Sequence, residues 1–174
     1  MSFPRDMILG EGVFSFGEAA TTAALTDIGA VRGGGIFNVV RTYRKVAADG
    51  DFGFVNGRIK IDEEVATLTI KALELVPGNL NDFFPALTSS AGGSLTTITS
   101  NLVIAAGDYK KVRFTGKTEG GNAVQITLDY AINMAPLKFD LLDKNEVVAE
   151  LVYTCTSLEA STTVPQWTLT MATT

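Results

Sequence analysis

The chain has no histidine and a single cysteine, Cys155. Without histidine, the Ser-His-Asp and Cys-His arrangements of nucleophilic catalysis cannot be built. Zinc sites made from His and Cys are excluded with them. One cysteine forms no intrachain disulfide, so nothing in the sequence marks an oxidising compartment. Cys155 stands in "AELVYTCTS" at the parity of Leu151 and Tyr153, which reads as a core thiol rather than a reactive one. Charge is sparse too: Asp, Glu, Lys and Arg make up 19% of the residues, against about 25% in ordinary soluble domains. No run approaches the ~18 apolar residues that cross a bilayer as a helix, so no membrane partner is expected. The opening "MSFPRDMILGEG" places Arg5, Asp6 and Glu11 among few apolar residues. A signal peptide is therefore not expected, and a soluble, cytoplasmic product is.

What is present points to a packed β protein. The 174 residues read as a single domain, 1–174, long enough to bury a core. The 46% hydrophobic content and mean hydropathy of +0.23 exclude a disordered chain. Low charge with positive hydropathy also suits surface hidden against further copies, because interface cores are depleted in charge. The net charge of −5 and pI near 4.7 disfavour a grip on nucleic acid, whose affinity comes mostly from neutralised phosphates. Arg41, Arg44 and Lys45, and then Lys110, Lys111 and Arg113, alternate with apolar neighbours and read as solvated strand faces. An acidic wall past which DNA slides stays compatible with this balance.

The organising stretch runs from Thr26 to Leu75. Glycines at Gly29 and Gly33 to Gly35 open it, and a β-rich run from Ile36 to Val46 follows. Asp49-Gly50 and Asn56-Gly57 then supply tight-turn chemistry before a second β-rich run from Ile59 to Leu75. This predicts a long protruding β-hairpin over about 36–75. On its second strand Ala66, Leu68, Ile70 and Ala72 alternate with Thr67, Thr69 and Lys71, the period of a strand with one buried face.

Elsewhere Met7 to Phe16 is a short strand broken by Gly10 and Gly12, and Glu18 to Leu25 is a helical turn or loop. "NLNDFFPAL" predicts one short helix over about 80–88, capped by Asn79 or Asn81, with Asp82 in its first turn. Ser89 to Ser94 reads as a loop, and "SLTTITSNLVIAAGDY" as ragged β structure. From Lys110 to Met134 a hairpin is expected, turning at Gly116 and Gly120-Gly121. Its second strand has Val124, Ile126, Leu128, Tyr130, Ile132 and Met134 on one face. Phe139–Leu142, Glu146–Thr156 and "VPQWTLTM" complete the strand candidates. The fold class is mainly β: a two-sheet sandwich or barrel with one flanking helix.

Motifs for chemistry are thin. Gly116-Lys117-Thr118 ends like a phosphate-binding P-loop, but Lys111 stands where the loop needs its first glycine. Gly10-Glu11-Gly12 lacks the third glycine of a dinucleotide fingerprint, with Ser15 in its place. Gly33-Gly34-Gly35 has no lysine or helix behind it and reads as close backbone packing or a hinge. Of Asp62, Glu63 and Glu64, only Asp62 and Glu64 share a strand face, and a solvated edge is the plainer reading than a cation or acid/base site. No enzyme, cofactor or metal is expected.

The order of the pieces carries a resemblance. "MILGEG", "TDIGAVRGGGIFNVVRTYRKVAADGD", "VNGRIKIDEEVATLTIKALEL", "DYKKVRFTGKTEGGNAVQITLDYAI", "AELVYTCT" and "VPQWTLT" together resemble the tail tube (major tail) proteins of tailed bacteriophages. The resemblance spans nearly the whole chain, with Ser89–Ala106 lacking a clear counterpart. It implies a structural virion protein of the tail, assembled in the host cytoplasm. Six copies form a ring whose inner strands join into one barrel, and rings stack into a tube that conducts DNA. The implied partners are further copies, the tape measure protein, the tail tip and the tail terminator, with DNA passing transiently and without sequence preference. Tubes of contractile tails and of type VI secretion are related.

Under that reading the hairpin tip, with Asp49, Gly50, Asp51, Phe52, Asn56 and Gly57, makes the inter-ring contact, and Gly33, Gly34 and Gly35 hinge the arm. A polar strand face lines the lumen, either Thr67, Thr69 and Lys71 or Gln125, Thr127 and Asp129. Two other classes compete with it. One is a single-copy β-barrel that binds a ligand or joins head to tail. The other is an enzyme built on Asp62 and Glu64.

Overall fold

The computed structural model describes residues 8–46, 48–49, 52–53, 55–73, 77–139, 146–158 and 167–172. The expected positions Gly50, Asp51, Glu74, Leu75 and most of Phe139–Leu142 lie outside them. The fold is mainly β, with antiparallel pairing throughout and one short α-helix. In chain order the elements are β1 (Ile8–Glu18), β2 (Thr26–Asp27), β3 (Val31–Lys45), β4 (Ile59–Ala72) and α1 (Pro77–Phe83). Then come β5 (Leu87–Gly92), β6 (Leu95–Ser100), β7 (Lys110–Thr118), β8 (Ala123–Asn133), β9 (Ala149–Cys155) and β10 (Trp167–Met171). A 3-10 turn, Ala106–Asp108, precedes β7.

Eight strands form one sheet in the order β2-β1-β7-β8-β9-β4-β3, with β10 added on β8. The strands β2 and β3 end opposite edges of this sheet, yet only Ile28, Gly29 and Ala30 separate them. Four Cα steps of 3.8 Å reach about 15 Å at most, so the sheet curls until its edges approach. Ile28 fills the seam, fully buried, with its N–H bonded to the Phe14 carbonyl at 2.9 Å. Ser15 Oγ donates to Asp27 on the same seam.

Glycine sets how closely the strands approach at two points. A Cβ on Gly12 would lie 2.3 Å from the Phe114 ring and 2.5 Å from the Thr115 carbonyl oxygen. The strand continues through the glycines expected to break it, although its register with β7 shifts between Ile8 and Gly12, and Gly12 lets β1 lie tight on β7. Gly35 plays the same part beneath Phe14, whose ring would sit 2.6 Å from an added Cβ.

The core gathers Phe14 and Phe16 from β1, Leu68 and Ile70 from β4, Val112 and Phe114 from β7, and Leu151 and Tyr153 from β9. Phe14 and Phe114 stand 4.9 Å apart, and Phe16 meets Phe83 of α1 edge-on at 5.3 Å. Each large side chain buried this way contributes about 1.5–3 kcal/mol.

The helix starts and stops earlier than expected, at Pro77 and Phe83. Proline is favoured in a first turn because its missing N–H is unbonded there anyway. Pro85 disfavours helical geometry at Phe84 and ends the helix. Leu87 then enters β5, so Ser89–Ser94 is not a loop: Ser89 to Gly92 pair with β6 around a turn at Gly93, whose φ is 65°. This two-stranded ribbon stands apart from the main sheet, and no residue from Phe83 to Gly107 is charged.

A second correction concerns β8. Its even-numbered face is apolar as far as Leu128, but Ala131 and Asn133 are then buried while Met134 is exposed. Ile132 is buried with them, so both faces of β8 are covered at this end, where the partner on one edge passes from β10 along Val124–Leu128 to β9 along Ala131–Asn133. Asn133 is buried among three bonds. Its Nδ2–H donates to the Phe83 carbonyl at 2.8 Å, and its Oδ1 accepts from Ala135 and Val152 N–H at 2.9 Å each.

Candidate assembly surface

The strand β3 ends the sheet and, among the described residues, pairs only with β4. The ladder of β4 with β9 stops at Thr67↔Thr154. Beyond that point β3 and β4 continue alone, from Val39↔Ala66 to Lys45↔Ile59. The side chains record the change: burial alternates along β4 from Val65 to Ala72, whereas every residue from Ile59 to Glu64 is exposed. Aliphatic and aromatic groups are nevertheless kept there. Val40 is exposed there, and so are Tyr43 and Ile61, paired across the strands; Ile36, opposite Thr69 at the root of the ribbon, is exposed on the face of Val40. A two-stranded ribbon is marginal by itself in water, and its bare edges are templates for another strand.

Ion pairs stiffen the ribbon. Arg41 Nε–H donates to Glu64, and Arg44 Nε–H donates to Asp62 at 2.9 Å. The register shifts between Thr42 and Tyr43, leaving Asp62 as the extra residue. Glu64 holds a second donor, the indole N–H of Trp167 in β10, at 2.6 Å. The Trp167 ring packs on Phe37 at 5.5 Å. Hydrogen bonds from Arg41 and then Trp167 hold the Glu64 carboxyl below its ordinary value, and Glu64 raises Arg41 in turn. Both carboxylates named as a possible acid/base pair thus have cationic partners across the strand. Among the described residues, no group of three His, Cys, Asp or Glu is placed to hold a metal ion.

At the far end Asn56-Gly57 forms a turn, with Gly57 at φ 82° and the Arg58 N–H bonded to the Val55 carbonyl. Asp49 is exposed, and Phe52 stands wholly in solvent. The glycine triplet lies within β3 rather than before it. Gly33 and Gly34 have φ of 75° and 72°, and the β3–β4 register shifts between Val31 and Gly35.

The two polar rows occupy different parts of the sheet. Thr67, Thr69 and Lys71 face Thr154, Val152 and Glu150 of β9. A shallow cavity of about 440 Å³, lined by Arg32, Lys71, Lys138 and Glu150, adjoins them. Gln125, Thr127 and Asp129 lie instead between β7 and β10. Thr127 is buried and accepts from Arg113 Nε–H at 3.3 Å, while Asp129 pairs with Lys111 at 2.9 Å.

Cys155 is half-buried rather than sealed in the core. Burial, aided by Asp129, pushes its thiol up to about 11, so it is a poor nucleophile at neutral pH. A second cavity, about 390 Å³, opens beside Tyr109 and Tyr130, with Ala106, Thr156 and Leu158 in its wall. No helix among the described residues is long and apolar enough to cross a membrane. The ion-paired ribbon, the Trp167–Glu64 contact and the buried Asn133 hub depend on partners far apart in sequence, which local periodicity does not register. No protein-family model matches the chain, and no curated protein matches it.

Proposed function

We propose that this chain is a structural subunit that polymerises with its own copies into a hollow tube, of the kind made by the tail tube proteins of tailed bacteriophages. The observation that carries this reading is the β3–β4 ribbon beyond Thr67↔Thr154, a hairpin arm that among the described residues pairs with no further strand on either edge and keeps Val40, Tyr43, Ile59 and Ile61 in solvent. Pairing that edge with a neighbouring copy satisfies its backbone groups and buries Ile36, Val40, Tyr43 and Ile61. The curled sheet is then a barrel-like sandwich flanked by α1, six of which close a ring. Rings stack through the arm tip, and an acidic chain of net charge −5 gives DNA little to hold as it passes. Under this reading the row Thr67, Thr69 and Lys71 is the candidate for the lumen, because Thr127 of the Gln125–Asp129 row is buried beneath Arg113. The partners are further copies, a tape measure protein and the tail ends, with no cofactor and no catalysis.

Negative-stain electron microscopy of the concentrated protein tests the reading. Hollow tubes or stacked rings are the expected result. Replacing residues 49–56 with a short Gly-Ser linker should leave folded subunits that do not polymerise. Uniform monomers of the native chain, even at high concentration, favour a single-copy binding module instead.

A further inference from the structure

Phe52 and the Tyr109–Tyr130 cleft lie beyond the same end of the β4–β9 ladder but at different distances from it. Phe52 is fully exposed at the end of the arm. From Thr67, the last residue paired to β9, β4 runs to Ile59 for about 26 Å at ~3.3 Å per residue, whereas Leu158 follows Thr154 by only four residues, about 13 Å, so the arm outruns the chain's own cleft. The cleft has the opposite character. Its volume of about 390 Å³ accepts an aromatic side chain, and among the described residues its lining carries no charge. Two tyrosine rings there offer edges and faces to an incoming ring, the geometry that aromatic pairs prefer. In a chain of net charge −5, an uncharged socket is also where a second copy approaches with least repulsion.

We propose that Phe52 of one copy seats in the cleft beside Tyr109, Tyr130 and Leu158 of the next. A knob and a socket on different surfaces make a head-to-tail contact, which propagates into rings or filaments rather than closing a dimer. The contact rests on the self-assembly reading above and assigns the surface that receives the arm.

The test uses two variants in a Cys155→Ser background, one carrying Phe52→Cys and the other Leu158→Cys. They are mixed at high concentration under mild oxidation with copper phenanthroline. A disulfide-linked heterodimer that forms at least tenfold faster in the mixture than the homodimer in either variant alone is the expected result. Phe52→Asp, a change at a wholly exposed site that leaves the fold intact, should cut polymer yield at least tenfold. If the native chain polymerises but the mixed disulfide is missing and Phe52→Asp polymerises normally, the socket assignment falls while the self-assembly reading stands. If amine-reactive crosslinking detects no association of the native chain at all, both fall. If the native chain stays monomeric while free N-acetylphenylalanine amide shifts the Tyr109 and Tyr130 ring resonances, the cleft is a small-ligand site and the proposal is overturned.

Discussion

The indole N–H of Trp167 donates to the carboxylate of Glu64 at 2.6 Å across a separation of 103 residues. It ties the last described strand to the root of the β3–β4 ribbon, on the face that also carries Phe37 and Arg41. Two donors thus fix one carboxylate at the place where the ribbon leaves the sheet.

This latch should respond to acid. The folded Glu64 carboxyl is held below its ordinary value of 4.5 by Arg41 and Trp167. The contribution is therefore complete above that ordinary value and is lost as pH falls through the lowered folded one. Trp167 is the only tryptophan, so its emission reports the contact. We expect the native spectrum to shift as pH falls below 4.5. Glu64→Gln should already show the shifted spectrum at neutral pH and lack this step, and identical titrations of the two proteins would refute the latch.

Gly12 should tolerate no side chain. A Cβ there meets the Phe114 ring and the Thr115 carbonyl oxygen at 2.3 and 2.5 Å, and the carbonyl cannot rotate away. Gly12→Ala should lower stability by about 1–3 kcal/mol, the usual cost of overpacking. Gly107→Ala, with open space around its Cβ position, should change the urea midpoint little. Equal midpoints for the two variants would show that β1 shifts to absorb the methyl group.

Asn133→Ala removes one donor and one doubly used acceptor from the interior. Each buried group left unpaired costs about 1–3 kcal/mol, so a loss of roughly 3 kcal/mol is expected in equilibrium unfolding. Hydrogen exchange should quicken at the Val152 amide before the rest of β9 opens. Unchanged exchange there would mean that water replaces the side chain without penalty.

How much of this was legible depends on whether the signal was local. The alternation of Leu68 and Ile70 with Thr67 and Thr69 marked β4 because one face of that strand is buried along most of its length. β6 fell within the stretch read as ragged β structure, but β5 was read as a loop, because in this separate two-stranded sheet Thr88, Ser89 and Ser90 are exposed and show no apolar alternation. Asn133 followed the polar row of β8 and gave no hint that both faces of the strand are buried at that end, since its partners at Phe83 and Val152 come from distant parts of the chain. For the assembly surface, Asn56-Gly57 announced the turn. The bare edge of β3 was not readable, because strand order depends on partners distant in sequence.

The seam at Ile28 has a kinetic consequence. During synthesis β1 emerges long before β7, and β4 long before β9, so each waits with one edge uncovered while its later neighbour is still being made. Pairings of such high sequence separation form slowly because loop closure must precede them. The sheet therefore curls shut late, only once β7, β8 and β9 have all been made. Recovery of soluble protein should then be governed by how slowly and how coldly the chain is produced, since uncovered strands meeting each other in that interval lead to aggregates.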